Sequence, residues 1–205
     1  MTQHSCAWAR EDFILVAYEI KNVSGAALHG LYVGHYADLD VAESSERERT
    51  AYNAGLATGY NLDTVTGIHL GLRYLLGGVT SYHNGDYDTF RDDNAAYAAL
   101  SDVGHFDPKY PARPGDDVEF VMGVGPLSLT PGEVYKLGTA WIAGASLSDL
   151  QSNARAAADR WQASDGCGIG LLEAGSVPEP GTMMLLGSGL AGLAGYAALR
   201  WRARG

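Results

Sequence analysis

Near the C-terminus, 18 consecutive residues from Thr182 to Leu199 contain no charge and no proline. As a helix such a run spans about 27 Å at ~1.5 Å per residue, close to the ~30 Å hydrocarbon core of a bilayer. A helix packed on a soluble core keeps a polar face. This one is apolar or small all round, so it reads as a membrane span. Arg200, Arg202 and Arg204 follow at once, with Trp201 between the first two. Flanking positive charge stays on the cytoplasmic side, and Trp suits the interface. The C-terminus is therefore expected inside, and residues 1 to 176 outside.

Immediately before the run stands Val177-Pro178-Glu179-Pro180-Gly181. Two prolines one residue apart favour an extended, accessible peptide. The order of these parts resembles the PEP-CTERM sorting signal of Gram-negative bacteria. Its motif is present as Pro178, Glu179 and Pro180, its membrane helix as 182–199, and its basic end as 200–204. The resemblance covers residues 177–205. It implies processing by an exosortase, a membrane cysteine transpeptidase, which would cut near the motif. The product implied is an inner-membrane-anchored precursor, then a cell-surface or extracellular-matrix protein. On that reading the tail is a processing signal and stands outside the fold. Such proteins begin with a secretory signal peptide. "MTQHSCAWAREDFILVAYEIKN" has no basic start, no apolar run before Asp12 and no small-residue cleavage site. Either the chain is truncated at its N-terminus or its start is placed too late; truncation is the expectation, because a strand begins almost immediately.

The chain carries 14 basic and 24 acidic residues, of which three Arg and one Glu lie in the tail. The ectodomain is thus near −12, which favours solubility and argues against binding a phosphate backbone. No nucleic-acid partner is expected. Residues 1–162 suffice for one domain with a proper core. The two cysteines, Cys6 and Cys167, form no CxxC and no zinc spacing. In an exported protein they can pair and tie the N-terminal edge to the end of the domain.

Along the ectodomain, "DFILVAYEIK" and "LHGLYVGHYAD" read as strands joined through a turn at Asn22 to Ala26, as a β-arch or hairpin. "SSERERT" reads as a solvated charged loop. "GIHLGLRYLLGG" reads as a strand with Ile68, Leu70 and Leu72 on one face, and Asn84-Gly85 as a turn. Residues 89–101 suit a short helix, and 105–117 a Pro-rich loop. Val118, Phe120, Met122 and Val124 alternate, then Pro131-Gly132 fits a type II turn. The return strand alternates Tyr135, Leu137, Thr139 and Trp141. A helix follows, with a capping box at Ser148 and Gln151 and one face made of Leu147, Leu150, Ala154, Ala157 and Trp161. Residues 163–176 are small and polar and read as a linker. Strands with turn signals and then a helix predict a mainly β fold, a β-sandwich-like ectodomain with one or two short helices. "YADLDV" and "GPLSLTPGE…TAWIAGASLSDLQSNARAA" also resemble a β-sandwich module of exported bacterial proteins, one that often follows a catalytic or adhesive region.

No G-x-S-x-G, H-E-x-x-H or P-loop is present. The six histidines are scattered, and none has a His partner at i+4. No catalytic residue is assigned. Acidic residues are the remaining candidates: Asp38 and Asp40 at a strand end, and Asp86, Asp88 and Asp92 in "NGDYDTFRDDN". Calcium takes six to eight oxygen ligands, often from such loops, although the EF-hand pattern is lacking and turn-forming Asp is the plain alternative. The reading is a non-enzymatic exported protein without a required cofactor. Two alternatives stand beside it: the accessory end of a secreted hydrolase whose catalytic region lies upstream, and a module that binds calcium or an extracellular polysaccharide.

Overall fold

The computed structural model of the protein describes residues 1–41, 47–110 and 117–170. These residues fall in one compact unit, Met1–Leu171. They form two antiparallel sheets. The larger has six strands in the order β1 (Thr2–Ala7), β2 (Phe13–Lys21), β9 (Val134–Gly144), β6 (His69–Leu76), β5 (Thr58–Asp63) and β4 (Glu48–Asn53). The smaller has three, in the order β3 (Leu28–Asp38), β8 (Val118–Leu129) and β7 (Ser81–Asp86). The helices are α1 (Asp93–Ser101), α2 (Leu147–Ala163) and the short α3 (Asp165–Gly168).

Period-two patterning explains the layers. Phe13, Leu15 and Ala17 of β2, with Ala140 and Ile142 of β9, pack against Leu150, Ala154, Ala157 and Trp161 of α2. The opposite face of the large sheet contributes Leu72, Tyr74 and Leu137, which meet Phe120, Met122 and Val124 of β8. The other face of β8 turns Val121 toward Phe90 and Ala99, under α1. Two helices thus cover the outer faces of two packed sheets, and the central strands β8 and β9 are buried on both sides. Glycines allow the close approaches. A Cβ on Gly138 would run into the Trp161 ring, and one on Gly34 or Gly123 would meet Leu100 of α1.

The mainly β, sandwich-like expectation agrees with this architecture. The pair read as an arch or hairpin is an arch: β2 lies in the large sheet and β3 in the small one. Thr130–Glu133 is the expected turn, with Gly132 at φ 84° and the Glu133 N–H donating to Thr130 O at 3.0 Å. The two strands it joins do not pair. β8 bonds to β3 and β7, while β9 bonds to β2 and β6. Asn22, only 2 % exposed, locks the two arches together. Its N–H donates to Glu133 O, its carbonyl accepts from Gly132, and its side-chain amide donates to Leu129 O and Ala26 O, both at 2.8 Å.

Other expectations are corrected. "SSERERT" is not a solvated loop throughout, because Glu48 opens β4 and both Glu48 and Thr50 are fully buried. Asn84-Gly85 is not a turn but lies within β7, where Gly85 opposes Glu119 and has no room for a Cβ beside Thr89. Ile68 is exposed, whereas Leu72 and Tyr74 carry the buried face of β6. The cap of α2 is Ser146, whose hydroxyl accepts from Asp149 N–H while the Asp149 carboxylate accepts from Ala145 N–H. Residues 163–170 are not linker: α3 and Ile169 pack onto the domain.

Between the sheets sits a polar contact in an apolar layer. His35 bonds Tyr74 Oη through Nδ1 at 2.8 Å and Tyr18 Oη through Nε2 at 3.3 Å. Tyr74 gives its own proton to Met122 O, so its oxygen accepts from a protonated Nδ1. Burial depresses the His35 imidazole to about 4, and it is neutral at pH 7.

Candidate functional site

The sorting motif Pro178, Glu179 and Pro180, the helix 182–199 and the basic residues Arg200, Arg202 and Arg204 lie outside the described residues. Among the described residues no helix is long and apolar enough to cross a membrane. Cys6 of β1 and Cys167 of α3 are joined as a disulfide, with Cα atoms 6.0 Å apart.

The acidic candidates separate into two groups. Asp86 accepts the Thr89 hydroxyl at 2.9 Å, Asp88 pairs with Arg91, and Asp92 caps α1 by accepting from Asn94 and Ala95. These three are turn and cap residues and do not converge. Asp38 and Asp40 do converge, with a partner that sequence spacing did not indicate. Asp117 lies just before β8, and β8 pairs with β3, the strand that ends at Asp38. One ligand atom from each of Asp38, Asp40 and Asp117 lies within 4.8 Å of the others.

More oxygen lies behind them. Glu48, fully buried, accepts the Val41 N–H through Oε1, and its Oε2 has no hydrogen bond. Asn61, also fully buried, gives its two amide hydrogens to Leu39 O and Val118 O, and its Oδ1 has no partner. One oxygen of Asp117 is likewise buried without a partner. Burial first, and then repulsion from neighbouring carboxylates, holds Asp38 and Asp117 above the usual carboxylate range. The same causes push Glu48 up to about 7. Among the described residues no Lys, Arg or His forms a salt bridge with this group. Glu119 lies alongside but is satisfied, accepting from the Tyr36 hydroxyl and from Phe90 N–H at 2.9 Å.

A second cluster was not legible in the sequence. The segment carrying His105 and Asp107 runs along the edge of β7, with Tyr82 N–H donating to His105 O and Asp107 N–H to Tyr82 O. His83 and His105 stack at 4.2 Å with planes 9° apart. Asp107 bonds His105 Nε2 at 2.7 Å, and Asp102 lies 3.3 Å from His105 Nδ1 and 3.5 Å from His83 Nε2. Imidazole lone pairs lie in the ring plane. Two parallel planes 4.2 Å apart cannot both direct a lone pair at one ion, so the carboxylates bridge the rings instead.

An open cleft of about 360 Å³ on the large sheet is lined by Ile14, Leu39, Leu70 and Trp141, with Glu11 and Asp12 at its rim. Glu11 is engaged by Arg160 at 2.7 Å.

Residues 176–203 match the family model of the PEP-CTERM protein-sorting motif. No curated protein is significantly similar to the chain.

Proposed function

We propose that the ectodomain is a non-enzymatic surface or extracellular-matrix protein that is released from its anchor by cleavage near Pro178-Glu179-Pro180. The chain carries a PEP-CTERM signal, which directs exosortase-targeted sorting and so a secreted, surface-targeted product with a membrane-anchored precursor. The motif match over residues 176–203 is the observation that carries this reading. Its chemistry fits: a proline-stiffened extended peptide ahead of a membrane helix is reachable by a membrane enzyme without unfolding the domain. Glu179 is the one charge between the linker and the arginines and serves as the recognition handle. The Cys6–Cys167 disulfide accords with an oxidising compartment. A permanent single-pass anchor is the competing outcome.

The test uses a host that contains an exosortase, with a signal peptide fused ahead of Met1. Wild type should lose roughly its last 25 residues, the ~18-residue span and its basic end, and leave the inner membrane. Glu179→Ala should stay full length in the inner membrane. Mature protein that still ends in Gly205 while the exosortase is active refutes the processing reading.

A further inference from the structure

The open end of the sandwich, where β3 stops and β8 begins, gathers oxygen ligands and no described counter-charge. We propose that Asp38, Asp40 and Asp117, backed by Glu48 and Asn61, form a calcium site. This inference is independent of the sorting reading.

Three observations converge. The first is spacing: a calcium–oxygen bond is about 2.4 Å, so oxygens around one ion lie no more than ~4.8 Å apart, which is the span that holds the three aspartates. The second is the buried orphans. An oxygen taken out of water without a donor is costly, and buried acceptors are nearly always satisfied. Here Glu48 Oε2, Asn61 Oδ1 and one Asp117 oxygen all lack a partner. Glu48 is anchored to the N–H of Val41, the residue after Asp40. The Asn61 amide is held between Leu39 and Val118, which adjoin Asp38, Asp40 and Asp117. The third is charge. Several carboxylates repel one another with no described cation between them, and a dication removes that repulsion.

The donor set identifies the ion. It is all oxygen, without nitrogen or sulfur, which disfavours zinc and copper. Three aspartates offer up to six carboxylate oxygens, with Glu48 and the Asn61 amide behind them, an irregular all-oxygen set of the kind calcium accepts. Magnesium instead demands a near-ideal octahedron and keeps its waters.

The probe is calcium chloride against EDTA and against magnesium chloride, with the full chain in detergent. Calcium at ~100-fold over its dissociation constant should raise Tm by about 5–10 °C, and magnesium should not reproduce the rise. Asp40→Asn and Asp117→Asn should each weaken calcium binding at least ~10-fold by titration calorimetry. In EDTA both variants should melt at or above wild type, because one source of repulsion is gone. That inversion separates a ligand from a residue that merely supports the fold. Asp88→Asn should bind as wild type does. The proposal is overturned by no calcium heat and no Tm shift in wild type. It is equally overturned by a shift that survives in both ligand variants, or by variants that lose stability equally in EDTA and calcium.

Discussion

Removing the disulfide should weaken the whole domain rather than one edge. Cys6 and Cys167 are separated by 161 residues, so the bridge closes nearly the entire described chain into one loop. In the chain-entropy treatment a loop of that size restricts the unfolded ensemble by about 5 kcal/mol at 25 °C, and losing a native bridge costs 2–5 kcal/mol in practice. A loss of ~3–5 kcal/mol is a large part of the 5–15 kcal/mol that holds a domain folded. For a chain of this size it corresponds to a Tm lower by about 8–15 °C. The assay is thermal and urea unfolding of wild type against Cys6→Ser/Cys167→Ser, both as the full chain in detergent. The double variant should also show a larger m-value, since an unbridged chain expands further on unfolding. If β1, an edge strand with mostly exposed residues, were all that the bridge held down, the effect would be local. A Tm within about 2 °C of wild type and an unchanged m-value would refute the global argument.

Two further substitutions probe the layers. Trp161→Ala should cost about 3–5 kcal/mol in urea unfolding, because the ring is 1 % exposed and Gly138 provides nothing to fill the void. His35 should impose a pH slope. Its folded pKa, about 4, lies below the ordinary 6.5, so the unfolded state takes the proton first. Its contribution is complete above pH 6.5 and is lost as pH falls from 6.5 to 4, by roughly 3 kcal/mol at most. His35→Gln should flatten that limb of the stability–pH curve. An unchanged slope would show that other groups set it.

Period-two patterning in β2, β8 and β9 and the 3.6-residue face of α2 were legible because each buries a strongly apolar stripe. β1, β4 and β5 were not, because their sequences are polar and small. Glu48, Thr50, Asn61 and Asp63 are buried by what packs over them and not by their own hydrophobicity. Which sheet a strand joins was also hidden. Pro131-Gly132 announces a turn, but whether its strands pair or part depends on Asn22, more than 100 positions away. The same limit applied to the acidic site. Asp38 and Asp40 could be singled out at a strand end. Asp117 enters only through the pairing of β3 with β8, and Glu48 only through β4.

The place of β9 in the large sheet has a consequence for when the domain can form. Among the described residues β9 is the last strand, yet it joins the β1–β2 pair to β6, β5 and β4. Until residues 134–144 are available, β2 lacks its inner neighbour and the two halves of the sheet have nothing between them. α2, which closes the outer face, comes later still. A chain threaded through a membrane pore from its N-terminus would therefore remain an unassembled polypeptide for most of its passage. It could close its core only after residues through the end of α2 had crossed.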